Sequence, residues 1–240
     1  MSSEDPNRCC PTEKGPAKCD YTPVGGDFYM VGPHNSKAGV VVVSDIFGML
    51  ANSKRLADML AGQGYLVVMP DFFGAQAWPV SEWPANFESE RWIQHKAKIS
   101  KFDTFAPLME NAIALLRQMG CAKVGVIGMC WGANLTFMMA AQGKIDAAAT
   151  AHPVNLTPDN VKAAKVPVLV IPSKDEPPMD EVEAAIDAHP VTPHVYVRFG
   201  SLPHGFFGAR YDPDAYTPEE RKDVETARGL LVDFFSQSLH

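Results

Sequence analysis

The sequence predicts a mostly parallel, twisted β-sheet with helices on both faces, an α/β architecture in a single domain. Three observations carry that expectation. From about residue 27, short apolar runs alternate repeatedly with stretches of helical periodicity. The runs are apolar at consecutive positions rather than alternate ones, the pattern of strands buried on both faces. No internal repeat or linker interrupts the series, so residues 27–240 read as one unit.

The elements follow in order. Residues 1–26 hold Cys9, Cys10 and Cys19 among Pro, Gly, Lys and Glu without periodicity, and read as an N-terminal arm. Ala38–Ser44 is a buried strand. Over Asn52–Gln63, Leu56, Met59 and Leu60 share one helical face, and Gly62 and Gly64 end the helix. Tyr65–Met69 is a second strand, stopped by Pro70. Residues 71–104 then break the rhythm with three of the four Trp, at positions 78, 83 and 92. So long an excursion inside a compact domain reads as a lid or binding loop.

The alternation resumes with a helix over Ala106–Met119, a strand over Lys123–Ile127 and a helix over Ala133–Gln142. Ala147–Ala151 and Val166–Ile171 read as strands, Met179–Ala188 as a helix and His194–Phe199 as the last strand. The closing helix begins at Thr217-Pro218-Glu219-Glu220, where an N-cap Thr, a Pro at the first helical position and a Glu at the third form a capping box.

Composition narrows the function. The chain has 240 residues, 46% of them hydrophobic, which suffices for a core without disulfide or metal staples. Lys and Arg number 21 against 28 Asp and Glu, a formal charge of −7, which argues against nucleic acid as the partner. No apolar run nears the roughly 18–20 residues of a membrane span. The N-terminus carries Glu4 and Asp5 and no apolar leader, so a cytoplasmic location with reduced thiols is expected. The five Cys are an odd number. Cys9, Cys10 and Cys19 lack the paired spacing of a zinc site, and neither metal nor cofactor is expected.

The chemistry concentrates at Gly128-Met129-Cys130-Trp131-Gly132, where a buried strand runs straight into a helix. This is the nucleophile-elbow pattern with Cys in place of Ser. Side chains at 128 and 132 would collide across so sharp a turn. Cys130 stands at a helix N-terminus, whose dipole and free amides favour a thiolate. By itself the motif also fits a buried Cys in an ordinary strand–helix turn. An α/β-hydrolase needs an acid and then a His further along the chain. Asp175 lies just past one strand and His204 just past the last, both at the sheet end where sites of open α/β sheets lie. His204 is expected to take the thiol proton and Asp175 to fix its tautomer.

Other candidates surround these three. Glu176 adjoins Asp175, and Asp180 is close. His152 follows a strand and can border the pocket or serve the structure; His189 and His194, flanking a Pro-rich turn, are expected to face solvent. The oxyanion hole needs two converging amides, expected from Trp131 and from Ile46 in the loop Ser44-Asp45-Ile46-Phe47-Gly48. Asp45 sits at the expected mouth of the site, or is simply a solvated turn residue or helix cap.

Together these segments resemble the dienelactone hydrolase family of α/β-hydrolases, particularly its eukaryotic-type, carboxymethylenebutenolidase-like branch. The resemblance rests on Cys9-Cys10, Asp45-Ile46-Phe47-Gly48, Ala57-Asp58, Gly64-Tyr65, Pro70-Asp71-Phe72-Phe73, Gly128-Met129-Cys130-Trp131-Gly132, Ala151-His152-Pro153 and Pro203-His204-Gly205-Phe206. It implies a triad of Cys130, His204 and Asp175; Asp45, Phe47, His152 and Arg210 are the residues expected to bind substrate or to support the site around that triad. In the family an acid at the position of Asp45, usually the longer Glu, contacts the resting thiol. Bacterial members also hold a substrate carboxylate with two arginines. This chain has Gly74-Ala75-Gln76 where one is expected, and Arg210 lies six residues past His204.

The nucleophile sets its own limit on the substrate. A tetrahedral adduct of thiolate and ester expels the better leaving group, so ordinary alkyl esters revert while enol esters, enol lactones, aryl esters and thioesters go forward. The expected activity is hydrolysis of an activated small-molecule ester or lactone. The alternatives are a non-hydrolytic relative whose Cys130 senses oxidants or electrophiles, and an interaction protein using the acidic surface and the Trp-rich segment. Cys121, the one core candidate for a resolving thiol, lies at the other end of the strand, some 20 Å away in an extended run. The physiological substrate and the oligomeric state are not legible in the sequence.

Overall fold

The computed structural model describes residues 11–12, 15–16 and 28–240. Within the arm, β1 (Pro11–Thr12) pairs antiparallel with β2 (Gly15–Pro16); Cys9, Cys10 and Cys19 lie outside the described residues. The remaining strands are β3 (Phe28–Val31), β4 (Ala38–Val43), β5 (Leu66–Pro70), β6 (Lys123–Met129), β7 (Ala147–Ala151), β8 (Val168–Ile171) and β9 (His194–Tyr196). They form one seven-stranded sheet in the order β3-β5-β4-β6-β7-β8-β9. Only β3 runs antiparallel, against β5. This is the α/β-hydrolase arrangement of a mostly parallel sheet between helices.

The all-apolar runs form the centre of the sheet because it is covered on both sides. In β4, Val41 and Val43 face one core layer, and Val40 and Val42 the other. Helices α3 (Ala106–Gln118), α4 (Gly132–Ala141), α5 (Pro158–Ala163) and α6 (Asp180–Asp187) cover the first face, with Met109, Leu116, Leu135, Val161 and Val182 turned inward. Helices α1 (Ala51–Gly62) and α7 (Pro218–Leu239) cover the second, with Leu56, Leu60, Val224, Leu231 and Phe235. The capping box at Thr217 is present: its hydroxyl accepts from the Glu220 N–H at 3.1 Å, and a Glu220 oxygen accepts from the Thr217 N–H at 2.8 Å.

Two features depart from the sequence reading. The edge strand β3 lies where no strand was expected, and β9 ends at Tyr196, short of Phe199. The excursion over 71–104 is also more structured than a loop. It contains α2 (Glu90–Ile99), N-capped by the Ser89 hydroxyl, and an aromatic cluster of Trp78, Trp83, Phe87, Trp92 and His95. Trp78 is buried, and its N–H donates to the Ile46 carbonyl at 2.9 Å, fastening the segment to the loop after β4.

From β4 the chain crosses to β5 on one side and returns to β6 on the other. Open α/β sheets bind ligands at the carboxyl ends of such strands, where the winding reverses. Val43 pairs with Gly128 in register, so the loops beginning at Ser44 and at Cys130 leave the sheet side by side.

Candidate active site

Cys130 occupies the turn between β6 and α4 with φ at +55°, a left-handed conformation that an L-residue adopts at a cost of about 1–2 kcal/mol. The surroundings hold it there. Its N–H donates to the Ala151 carbonyl at 3.1 Å, and its own carbonyl accepts from Ala133 and Val154, each at 3.2 Å. The flanking glycines are steric requirements. A Cβ on residue 128 would stand 2.3 Å from the Gly132 carbonyl oxygen and 2.4 Å from the Thr136 hydroxyl; one on residue 132 would stand 2.9 Å from the Val43 carbonyl oxygen.

The Trp131 N–H at the start of α4 is directed at the Cys130 sulfur. The Trp131 ring is fixed by a hydrogen bond from Nε1 to the Ile99 carbonyl at 2.7 Å and packs among Phe72, Phe73, Phe102 and Phe105. Burial and the Asp45 carboxylate push the Cys130 thiol up to about 12, against the opposing pull of the Trp131 amide and Arg210.

His204, in the loop after β9, has its Nδ1 2.5 Å from Glu176 Oε1. Glu176 is buried; it also accepts from the Ser173 N–H and, at 3.0 Å, from the Ser173 hydroxyl. Asp175 is exposed, and its carboxylate accepts from the backbone N–H of His204 at 2.8 Å. The expectation that Asp175 orients the imidazole is thus corrected. The ring meets the buried neighbour: Glu176 turns inward onto Ser173, while Asp175 stays at the surface. Asp175 anchors the His204 main chain instead.

Asp45 is buried and is not a solvated turn residue. Its Oδ1 accepts from the Phe47 N–H and its Oδ2 from the Ala209 N–H, both at 3.0 Å, pinning the loop after His204 to the loop after β4. Burial raises its pKa above the usual carboxylate range, with those two amides pulling the other way. Ile46 and Phe47 follow in the same turn, and the Phe47 ring stands edge-on to Trp83 at 5.6 Å.

Arg210 lies 5.1 Å over the Trp83 ring and folds against Gly205, where a Cβ would stand 2.6 Å from its Nε. That Nε is buried without a hydrogen-bond partner, and no carboxylate among the described residues forms an ion pair with the guanidinium. His152 follows directly after β7 with φ at +39° and is fully buried, with neither ring nitrogen hydrogen-bonded among the described residues. Its ring stands edge-on to His204 at 4.8 Å. Burial, then the charges of His204 and Arg210, hold its pKa well below the usual histidine range.

Cys130, Trp131, His152, His204, Asp45, Phe47 and Arg210 are thus gathered at one end of the sheet, with Glu176 as the member whose contact the sequence left unassigned. His189 is elsewhere and, contrary to expectation, buried: its ring nitrogens lie 3.1 Å from the Val191 carbonyl and 3.2 Å from that of Ala164. Cys121 and Cys130 are free thiols at opposite ends of β6. No helix among the described residues is long and apolar enough to cross a membrane.

The chain is similar to several known proteins. Hydrolase pyvD of Aspergillus violaceofuscus is 30% identical, with 100% of this chain and 99% of that protein aligned. The rat carboxymethylenebutenolidase homolog is 27% identical, over 85% of this chain and 84% of its own length. Among solved structures, m3DLH superposes with a TM-score of 0.66 at 20% identity, covering 89% of this chain and 92% of that one. The dienelactone hydrolase family model matches residues 27–239. The chain is a hydrolase that belongs to the dienelactone hydrolase family.

Proposed function

We propose that the protein hydrolyses activated carboxylic esters or lactones through an acyl-thioester on Cys130, with His204 as the base and Glu176 as the acid that orients it. The observation carrying this reading is the elbow itself. A cysteine is held in a strained left-handed turn between two sterically required glycines, at the sheet end that also holds a carboxylate-bound imidazole. Strain of that kind persists where the surrounding structure fixes it, and it clusters at active sites.

In the first half-reaction His204 takes the Cys130 proton as sulfur adds to the carbonyl carbon. Glu176 holds the ring with Nδ1 protonated and stabilises the imidazolium that forms. The oxyanion is assigned to the N–H groups of Trp131 and Ile46. His204 gives its proton to the departing oxygen or sulfur, and in the second half-reaction it activates water to release the acid. A thiol this reluctant to ionise reacts only when its proton is removed as the bond forms. Arg210, a cation over Trp83 that forms no ion pair with a carboxylate among the described residues, is suited to an anionic group on the acyl side of the substrate. The names carried by the relatives, a carboxymethylenebutenolidase homolog among them, agree with a lactone substrate.

The test is a substrate panel of an aryl acetate, an enol lactone with and without a carboxylate, a thioester and a simple alkyl ester. The reading expects turnover of the activated members, little of the alkyl ester, and loss of turnover in Cys130→Ala. Equal rates in wild type and Cys130→Ala overturn it.

A further inference from the structure

Beside the gathered residues a groove of about 500 Å³ opens between the loop after β7 and the segment leading into α6. Its apolar walls are Pro153, Val154 and Leu156 on one side and Pro177, Pro178 and Met179 on the other. It begins at the reacting groups. His204 and Glu176 line it, and the Val154 N–H donates to the Cys130 carbonyl at 3.2 Å, so one wall is hydrogen-bonded to the nucleophile's own main chain.

Charge distinguishes the groove from the rest of the site. Asp175, Asp180 and Glu181 join Glu176 in its lining, and among the described residues no Lys or Arg lines it. The cation of the site, Arg210, stands over Trp83, which does not line the groove. The acidic groove therefore meets the site at His204, with a sign opposite to that of Arg210.

The chemistry assigns the two regions to the two halves of a substrate. As sulfur bonds to the carbonyl carbon, the bond from that carbon to the leaving oxygen or sulfur breaks. The proton taken from Cys130 passes through His204 to the departing atom, so a free alcohol, phenol, enol or thiol leaves while the acyl group stays on sulfur. A group that accepts a proton from His204 must lie against His204 when it departs.

Resting on the nucleophile reading above, we propose that the groove is the leaving-group subsite. It takes apolar leaving groups that are neutral or cationic and disfavours anionic ones. Aromatic and branched groups suit its proline and methionine walls, and the carboxylates at its rim repel a sulfonate or carboxylate.

The experiment compares kcat/KM for phenyl acetates bearing a trimethylammonium, a neutral or a sulfonate substituent, matched in leaving-group acidity. Wild type is expected to favour the cationic over the anionic ester by about tenfold at low ionic strength, with the ratio shrinking as salt is added. The double variant Asp180→Asn/Glu181→Gln changes two exposed side chains; it should reduce the ratio of cationic to anionic ester several-fold, with the neutral ester as the reference in each protein. Val154→Trp should raise KM for naphthyl esters more than for the methyl thioester.

Ratios unchanged in both variants, with turnover that still depends on Cys130, overturn the subsite while sparing the nucleophile. Turnover that survives Cys130→Ala defeats the nucleophile reading instead. A turnover-free measurement stands beside these: titration of trimethylammonio-phenol against the protein, followed at the Met179 methyl carbon by NMR. A saturable shift, weakened in the double variant, supports the groove, and no shift at millimolar phenol overturns it.

Discussion

Replacing Glu176 by Gln separates two adjacent carboxylates that the sequence alone does not distinguish. Glu176 meets the His204 ring at 2.5 Å from within the protein, whereas Asp175 reaches only the His204 backbone N–H, at 2.8 Å and exposed. During acylation the ring becomes a cation. Two unit charges about 4 Å apart at an effective dielectric of about 20 attract by about 4 kcal/mol. Losing that attraction in the transition state slows the reaction by about a thousandfold. Glu176→Gln keeps the shape and removes the charge, so kcat/KM on an aryl acetate should fall by about that factor. Asp175→Asn keeps an oxygen to accept from the same N–H and should cost about tenfold or less. Urea unfolding of each variant controls for stability, since the Gln amide faces the Ser173 N–H and leaves one donor poorly met, at about 1–3 kcal/mol. A thousandfold loss in Asp175→Asn together with a near-normal Glu176→Gln would refute the assignment.

Other perturbations test separate parts of the site. Gly128→Ala places a methyl 2.3 Å from a backbone oxygen and should destabilise the fold by about 3 kcal/mol, measured by denaturant unfolding. The Cys130 thiol, raised from 9.0 to about 12, should react slowly with iodoacetamide at pH 8 and faster as pH rises. Asp45→Asn should speed that reaction by removing the negative charge that opposes ionisation. The same shift sets a stability trend. Above pH 9 the unfolded chain releases this proton before the folded one, so the folded state binds more protons and the contribution of Cys130 to stability falls as pH rises toward 12. Arg210→Met should raise KM for a carboxylate-bearing lactone by about tenfold while leaving a neutral aryl acetate within about twofold, measured by initial rates.

Much of this site was legible because the signals were local. The Gly-x-Cys-x-Gly turn announces itself by steric need, and the collisions at residues 128 and 132 are the reason the pattern exists. Strand ends followed by His204 or by Asp45-Ile46-Phe47 also mark the site in one dimension, since a parallel sheet gathers its carboxyl ends. The choice between Asp175 and Glu176 was not legible. It depends on which of two neighbours turns inward over Ser173, a rotation that no periodicity encodes past a strand end. The burial of His189 depends likewise on the Ala164 carbonyl from a distant loop. Strand β3 went unseen because Phe28–Val31 is a short edge run whose partner, β5, follows only after β4 and α1. The excursion showed its aromatic content in sequence, but its attachment to the site through Trp78 and Ile46 is purely tertiary.

The central claim is that Cys130 carries the acyl group. Rapid-quench mixing of the protein with an aryl acetate, followed by intact mass and peptide mapping, tests it directly. The account predicts a transient mass increase of one acetyl group on the peptide containing Cys130, cleared by hydroxylamine and absent from Cys130→Ala. Steady turnover with no adduct on that peptide at any quench time, and undiminished turnover in Cys130→Ala, would contradict it.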